Sequence, residues 1–294
     1  MKTFKSGLLR WALLAMLLSG GSAFADIIGP VFEDFQYPAG SLLDGQNGGT
    51  GWAGHWVGAD NFYTAAGSLS YPGLLSSGNR AQFIPHDESS SNVIRTINAL
   101  GTDGGTTWLS FLMSIDGDVM GSDILAEVIL DDGNGNHLYI GKSREGQANW
   151  GVFDALTGAG EVQSNIPIVS GAPVFVAVRF DLNANPAAND LVTVYFDPLP
   201  GSPVPSVAGI STNGYNFSAG SDVLRLSGGV INLTAVANYD PIRGGTSYAD
   251  VAPASVTPTP EPSSLTLMAT VLAICGIMIR RRMRASENGG SEIE

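Results

Sequence analysis

The sequence predicts an all-β protein in which two antiparallel sheets stack as a sandwich or jelly roll. Apolar and polar residues alternate with period 2 in many segments between Asp26 and Val256, which is typical of half-buried strands. The chain has 38 glycines and 16 prolines, which suit short strands joined by turns. No sustained helical period occurs between those residues, and the lack of a fixed-period repeat disfavours a solenoid or propeller.

Eleven segments carry the strand pattern. In PVFVAVRFDL, Val174, Val176 and Val178 share one face, while Arg179 and Asp181 lie on the other. Turn compositions such as DDGNGN and NANPAAN separate the segments. The predicted strands are 31–35, 79–84, 91–97, 106–115, 123–131, 137–143, 149–155, 173–182, 191–197, 223–229 and 246–251.

The N-terminus has the three parts of a secretory signal. Lys2, Lys5 and Arg10 form a basic region, the apolar stretch 11–18 follows, and Ala23-Phe24-Ala25 forms an A-x-A cleavage site. The apolar stretch is too short for a membrane anchor. We therefore expect residues 1–25 to be a signal peptide and the β-sandwich body to span 26–252.

The C-terminus reads as a membrane anchor. Residues 263–279 are apolar or small, and Arg280, Arg281, Arg282 and Arg284 follow. The apolar run lies at the short end of lengths that cross a bilayer as a helix, and basic residues stay on the cytoplasmic side. We expect a Pro-rich spacer at 253–262, a transmembrane helix with its Arg cluster at 263–284, and a polar tail at 285–294.

This C-terminus resembles the PEP-CTERM sorting signal. Pro260-Glu261-Pro262, an apolar helix and an arginine cluster stand in the order of that family's motif, over about the last 35 residues. The resemblance implies export by a Gram-negative bacterium that makes extracellular polysaccharide. It also implies that an exosortase, a membrane protease-transpeptidase, recognises the tail and cuts near Pro260–Pro262. The ten residues after Arg284 depart from the family pattern, which usually ends soon after the arginines.

The body also resembles a group of PEP-CTERM surface proteins with a concanavalin/laminin-G-like jelly roll. The similarity rests on short blocks, including EDFQYPAGSLLDGQNGGTGWAGHWVG at 33–58 and RGGTSYADVAP at 243–253. The resemblance implies adjacent first and last strands, so we expect 31–35 to pair with 246–251. Pro241 interrupts the stretch 239–245, which we expect to be an edge or a bulge.

Charge and cysteine content exclude two classes of protein. Residues 26–262 hold 24 acidic against 7 basic residues, a net charge of about −17, which argues against nucleic-acid binding. The lone cysteine, Cys275, lies in the C-terminal apolar run. The body therefore has no internal disulfide, and its stability must come from core packing.

The DDGNGN segment is a candidate for weak calcium binding. Asp131, Asp132, Asn134 and Asn136 supply oxygens within six residues. The helix–loop–helix calcium pattern is incomplete, because His137 and Ser143 occupy the positions of its Gly and Glu. We expect a hairpin turn here, with any calcium binding in the millimolar range. We interpret Asp116, Asp118 and Asp123 as a solvated acidic loop.

Catalytic motifs are lacking in the sequence, so we expect no enzyme activity. Glu127 is flanked by apolar residues and has no second carboxylate in an E-x-D-x-x-E arrangement, although two carboxylates could meet across strands. His55, His86 and His137 lack metal-site spacing. We find no G-x-S-x-G motif and no phosphate loop.

Three functions agree with the sequence. The favoured prediction is a non-catalytic cell-surface or matrix protein associated with exopolysaccharide. A carbohydrate-binding module and a glycan-cleaving enzyme are the alternatives. Exposure of Trp52 or Trp56 would favour the module, although we expect both to cap the core, and we expect Tyr63, Trp108 and Trp150 to belong mainly to the core. A pair of facing carboxylates about 5–9 Å apart would favour the enzyme.

Overall fold

The computed structural model is an antiparallel β-sandwich, as the sequence predicts. It describes residues 31–86, 90–97, 100–119, 125–156, 160–185, 187–217, 222–229 and 235–255. Two sheets hold fifteen strands among these residues, and every pair of neighbouring strands is antiparallel. Internal packing divides the chain into two compact units after Pro253.

The eight-stranded sheet has the order β13-β12-β11-β6-β15-β4-β3, with β1 also paired to β15. Its longest strands, β6 and β15, lie side by side at the centre. Its strands are β1 (Phe32–Glu33), β3 (Phe62–Ala65), β4 (Arg80–Phe83), β6 (Thr106–Asp116), β11 (Val174–Asp181), β12 (Asp190–Phe196), β13 (Ile210–Tyr215) and β15 (Val236–Gly245).

The seven-stranded sheet has the order β10-β9-β8-β7-β14-β5-β2. Strand β7 lies at its centre, between β8 and β14. Its strands are β2 (Val57–Gly58), β5 (Ser90–Thr96), β7 (Leu125–Asp131), β8 (His137–Lys142), β9 (Asn149–Asp154), β10 (Gly160–Pro167) and β14 (Val223–Gly229).

The main core fills the space between the sheets. Alternate residues of each strand point inward, such as Phe111 and Val176 from one sheet and Val128 and Ile140 from the other. Burial of such side chains contributes about 1.5–3 kcal/mol each. Trp56 and Trp150 are also fully buried in this core.

A second, smaller core covers the outer face of the eight-stranded sheet. Trp108 and Phe175 pack there with Leu74 from the segment before β4 and with Tyr248. The described residues form no equivalent apolar cluster on the outer face of the seven-stranded sheet. The outer face of the eight-stranded sheet is therefore covered by other segments of the chain, whereas that of the seven-stranded sheet has no such apolar covering among the described residues.

The predicted strand at 246–251 is wrong. These residues form a short helix, α1 (Tyr248–Val251), which Ser247 caps by accepting a hydrogen bond from the Asp250 amide. The Asp250 carboxylate accepts from the Ser247 amide in return, which completes a capping box. The apolar residues Tyr248 and Val251 are three apart, so one helical turn buries both against the sheet.

The first and last strands do lie side by side, but at a different register from the one predicted. Phe32 pairs with Arg243 and Glu33 with Ile242. Pro241 coincides with a shift of register between Asp240 and Arg243 in the pairing with β6. The expected bulge is therefore present, whereas the edge alternative is wrong because β15 lies between β6 and β4.

Several predicted segments lie outside the described residues. These are the signal peptide with its Ala23 and Ala25 cleavage site, most of the spacer with Pro260–Pro262, the apolar run, the Arg cluster and the polar tail. Within the part of the chain that the structure describes, no helix is long and apolar enough to cross a membrane.

Candidate functional site

A row of side chains crosses the outer face of the seven-stranded sheet. Successive cross-strand pairs join one residue from each of five neighbouring strands. At about 4.8 Å per strand the row is about 19 Å long. We call it the central row, and it consists of Ile94, Arg225, Ile129, Tyr139 and Phe153.

The β7–β8 hairpin places an acid and a histidine beside this row. The turn between the strands, with Gly133 at φ 74° and Gly135 at φ 83°, sets Asp131 opposite His137. Both glycines adopt a backbone conformation that other residues rarely reach. The His137 Nε2 atom lies 3.1 Å from Asp131 Oδ2. The DDGNGN segment is thus a hairpin turn, as predicted.

Arg225 and Tyr139 extend this contact into a polar chain. The Arg225 guanidinium donates to Asp131 Oδ2, and the Tyr139 hydroxyl lies 3.4 Å from His137 Nδ1. Burial raises the pKa of Asp131, but hydrogen bonds from Arg225 and the Gly133 amide, with the Arg225 and His137 charges, hold this pKa below its usual value. Asp131 is therefore an ionised acceptor at neutral pH.

Two aromatic rings continue the row beyond the polar chain. Tyr139 meets Phe153 edge to face, with ring centroids 5.7 Å apart, and the Tyr139 ring also meets the His137 ring at 6.0 Å. Tyr139, Phe153 and Arg225 are each half-buried. The row thus presents aromatic surface next to charged hydrogen-bonding groups, a combination that recognises amphipathic ligands.

Glu127 lies below the surface beside the central row. It precedes Ile129 by two positions on β7 and is 5% exposed. Burial raises its pKa to about 7, although hydrogen bonds with Ser143 and Ser227 oppose that rise. Burial, followed by the Glu127 charge, likewise raises the pKa of the Tyr139 hydroxyl. Tyr139 is therefore a neutral hydrogen-bonding group at physiological pH.

The two carboxylates on the outer face of β7 are both engaged or buried. Glu127 and Asp131 share that face, four residues apart with Ile129 between them. Glu127 is only 5% exposed. Asp131 is also engaged by Arg225 and His137. The arrangement on this strand favours binding over two-carboxylate cleavage.

The calcium candidates are largely used in holding the turn. Asp132 is fully buried and accepts from the Asn134 amide at 2.9 Å and from the Asn136 amide at 3.2 Å. Its other oxygen accepts from Asn136 Nδ2 and the Asn216 amide. Within the described ranges no three His, Cys, Asp or Glu side chains are grouped to hold a metal ion. Weak calcium binding through Asp131, Asp132, Asn134 and Asn136 stays a prediction.

Trp52 and Trp56 belong to a buried network rather than to an open sugar platform. Trp56 is fully buried, and Trp52 packs against the core. The Arg95 guanidinium carbon lies 4.9 Å from the Trp52 ring centroid and 5.6 Å from that of Trp56. Arg95 also binds Glu33 at 2.5 Å and donates to the Gly54 carbonyl at 2.7 Å. This network fixes the loop around 47–56 to the body.

The other singled-out side chains have local structural partners. Tyr63 is not part of the core, contrary to expectation: it is half-buried, and its hydroxyl lies 3.3 Å from His86. His55 is exposed. Trp108 and Trp150 are buried, as expected.

The acidic residues singled out beside β6 differ in what the structure describes. Asp116 ends β6 and accepts from Asn238 at 3.0 Å, whereas Asp123 lies outside the described residues.

The sequence draws attention to Glu127, Asp131 and His137 but not to the row beside them. Tyr139, Phe153 and Arg225 are spread over three strands, so no local motif joins them. The hairpin turn, which sets the β7–β8 register, was the one available signal, because it places Tyr139 opposite Ile129. The position of Arg225 depends on β14, which is distant in sequence.

No family model matches the chain, and no curated protein matches it. Among solved structures, an endo-1,3-beta-glucanase from Streptomyces sioyaensis is 11% identical, with 73% of this chain and 95% of that chain covered and a TM-score of 0.47. An endo-beta-1,4-glucuronan lyase from the fungus Trichoderma reesei is 11% identical, with 76% and 97% covered and a TM-score of 0.42. The Emp46p carbohydrate recognition domain is 9% identical, with 64% and 88% covered and a TM-score of 0.41.

Proposed function

We propose that this protein is an exported cell-surface protein whose body binds a polysaccharide along the central row. The main support for this proposal is that Tyr139, Phe153 and the Arg225–Asp131 pair lie together on the outer face of the seven-stranded sheet. The opposite outer face is occupied by the second core. A long ligand can reach this row from solvent, since its aromatic and arginine side chains are half-exposed.

The chemistry of the row suits a sugar chain. A pyranose ring has apolar C–H faces and a rim of hydroxyl groups, so an aromatic edge or face can contact the former while polar groups bond the latter. The half-buried Arg225 supplies N–H donors, and the half-buried Tyr139 hydroxyl can both donate and accept. A row of about 19 Å across five strands accommodates several consecutive contacts with an extended polymer.

We propose binding without cleavage. A glycan-cleaving enzyme is the alternative, and Glu127, with its pKa near 7, is the residue that such an enzyme would use as an acid. It lies beneath the surface, and Asp131, the next carboxylate on that face of β7, is held by Arg225 and His137.

We also propose that sorting signals at the two ends of the chain direct the protein to the cell surface. The signal peptide at 1–25 would direct export, and the segment 263–284 would hold the chain in the inner membrane with the body outside. An exosortase-like protease would then cut near Pro260–Pro262, which would release the body to the cell surface or the polysaccharide matrix. This part is supported by the sequence motif alone.

Binding to a polysaccharide panel tests the proposed site. The full chain, held in mild detergent on a biosensor, is presented with laminarin, pullulan, glucomannan, arabinoxylan, alginate and polygalacturonate. We expect binding to at least one of them, with an affinity that Tyr139→Ala lowers about tenfold or more, since a central aromatic contact contributes more than about 1 kcal/mol.

Tyr63→Ala is the matched control. Tyr63 is also a half-buried tyrosine beside a histidine, but it lies on the eight-stranded sheet. We expect this variant to bind within about twofold of the wild type, a difference below 0.5 kcal/mol. Absence of binding to every polymer, or equal losses in both variants, would contradict a glycan site at the central row.

A further inference from the structure

Four of the basic side chains in the described ranges are paired with acids. The body has seven Lys and Arg residues between positions 31 and 255. Even Arg144, whose side chain is 63% exposed, contacts Glu161. The four ion pairs are Arg95–Glu33, Arg144–Glu161, Arg179–Asp181 and Arg225–Asp131.

The other three basic side chains are held by the protein in different ways. Arg80 donates to Asn238 Oδ1 and to the carbonyls of Ala66 and Gly67. Lys142 is fully buried and donates to the Arg144 carbonyl at 3.0 Å. Arg243 is 7% exposed and lies over the Phe32 ring at 5.4 Å. In the described part of the body, therefore, no exposed cation lacks a protein partner.

This pairing has a direct consequence for the central row. An acidic polysaccharide carries a carboxylate or sulfate on many of its sugars, and each must find a cation or keep its own water. Arg225 is the only basic residue in the row, and Asp131 already neutralises it. The body as a whole carries about −17 between residues 26 and 262, so a polyanion is also repelled at long range.

A hydroxyl group, by contrast, fits the same pair well. A sugar hydroxyl is both a donor and an acceptor. It can accept from the half-buried Arg225 guanidinium without breaking the Arg225–Asp131 contact. Asp131 is 6% exposed and keeps its protein partners. The hydroxyl of Tyr139 adds a further neutral donor and acceptor in the same row.

We infer that the central row selects uncharged, hydroxyl-rich polysaccharides and rejects glycans that carry uronate or sulfate groups. This inference rests on the proposed glycan site and names its ligand class. The unpaired charge that an acidic glycan requires is missing from the row, because Asp131 neutralises Arg225.

Matched polymers that differ only in charge test the inference. Each neutral polymer that binds the full chain is compared with its C6-oxidised form, in which primary alcohols have become carboxylates; pullulan and glucomannan give such pairs. We expect the oxidised form to bind at least tenfold more weakly at 20 mM salt. The difference should shrink at 500 mM salt, where charge repulsion is screened.

A charge variant supplies a second readout. Asp131→Asn leaves Arg225 without its counter-charge, so we expect it to improve binding of the oxidised polymer relative to the neutral one. Arg179, paired with Asp181 on the eight-stranded sheet, provides the control, and Asp181→Asn should leave the ratio of the two affinities unchanged.

The outcomes separate the inference from the proposed function. Oxidised or uronate polymers that bind as tightly as neutral ones, through a site sensitive to Tyr139→Ala, would overturn the neutral class and leave the glycan site standing. Failure of every polymer to bind, or binding insensitive to Tyr139→Ala, would overturn the site itself. Preference for neutral polymers with that sensitivity supports both.

Discussion

The buried carboxylate of Asp222 lowers the stability of the folded state when it is ionised. It is 2% exposed, and neither side-chain oxygen has a partner within hydrogen-bond geometry. Burial raises its pKa to about 7, and the charges of Asp132, Asp190 and Asp131 add to the rise. The Leu100 amide, which falls outside full hydrogen-bond geometry, opposes the rise only in part. The protonated form is therefore favoured in the folded state up to neutral pH.

The sign of the pH effect follows from that shift. An unfolded Asp titrates near 3.9, so the unfolded chain releases the Asp222 proton first and the folded state becomes less stable as pH rises from about 4 to 7. Glu127 and Asp240, whose pKa values burial raises to about 7 and about 8, act in the same direction. Asp131, with its lowered pKa, acts in the opposite direction, and its contribution is lost in acid.

Replacement of Asp222 by Asn should therefore stabilise the body in a pH-dependent way. We expect Asp222→Asn to match the wild type near pH 4 and to exceed it by about 2–4 kcal/mol at pH 8, since each unit of pKa shift corresponds to about 1.36 kcal/mol. Urea unfolding of residues 26–252, monitored by tryptophan fluorescence from pH 4 to 8, measures the difference.

The control for this variant is the exposed Asp103. Asp103→Asn should give a difference from the wild type that stays flat across the same pH range. If Asp222→Asn were destabilising throughout, or if its effect did not change with pH, the account of Asp222 as an unfavourable buried charge would be wrong.

Among the elements, α1 shows how strongly local capping can override a strand-like pattern. The segment TSYADV alternates in polarity as a strand would, but Ser247 and Asp250 are spaced as a capping box requires. The turn that they stabilise places Tyr248 and Val251 over the eight-stranded sheet, where they complete the second core. The helix thus closes one outer face of the sandwich.

Loss of the Ser247 cap should destabilise α1 and its packing on the eight-stranded sheet. We expect Ser247→Ala to lower the free energy of unfolding by about 1 kcal/mol, because the Asp250 amide loses its side-chain acceptor, Ser247 Oγ. Urea unfolding of residues 26–252 measures the change.

Thr246→Ala serves as the comparison. The Thr246 hydroxyl makes only a long, exposed contact of 3.4 Å with Asp250, so we expect a change within about 0.3 kcal/mol. Equal effects of the two substitutions would show that the capping box does not stabilise α1.

At the scale of the whole molecule, the C-terminal segment should decide where the body goes. We expect deletion of residues 263–294 to release the body from the membrane fraction into the periplasm or the medium, because the apolar run with its arginine stop would be the anchor. Fractionation with carbonate extraction, followed by immunoblotting, measures this.

Deletion of residues 285–294 alone is the control, and it should leave the chain in the membrane. Mass spectrometry of the mature surface form should then find a C-terminus near Glu261. A body that stays integral to the membrane without 263–294 would exclude the anchor, and a surface form that retains Arg280–Arg284 would exclude exosortase cutting.

Much of the sandwich could be predicted from the sequence because burial on one face of a strand leaves a period-2 pattern. Ten of the eleven predicted strands are strands, apart from small differences at their ends. The short β2 and β3 were missed, and so were β10 and β13, which lie at sheet edges where exposed residues on both faces blur the alternation. The central strand β15 was also missed, because it is buried on both faces and shows no alternation of burial. The candidate site was predicted less well, because the sequence drew attention only to Glu127, Asp131 and His137, which lie in the single stretch 127–137.

Local backbone preference and composition were enough to predict the all-β class, an edge or a bulge at Pro241, the hairpin turn after Asp131 and the acidic charge. Tertiary packing was needed to choose the bulge, to bring Arg225 to Asp131, to place Tyr139 and Phe153 in a row with them, and to bury Trp56 against Arg95. These contacts join strands far apart in the chain. Their register comes from the packing of whole sheets, which no local pattern records.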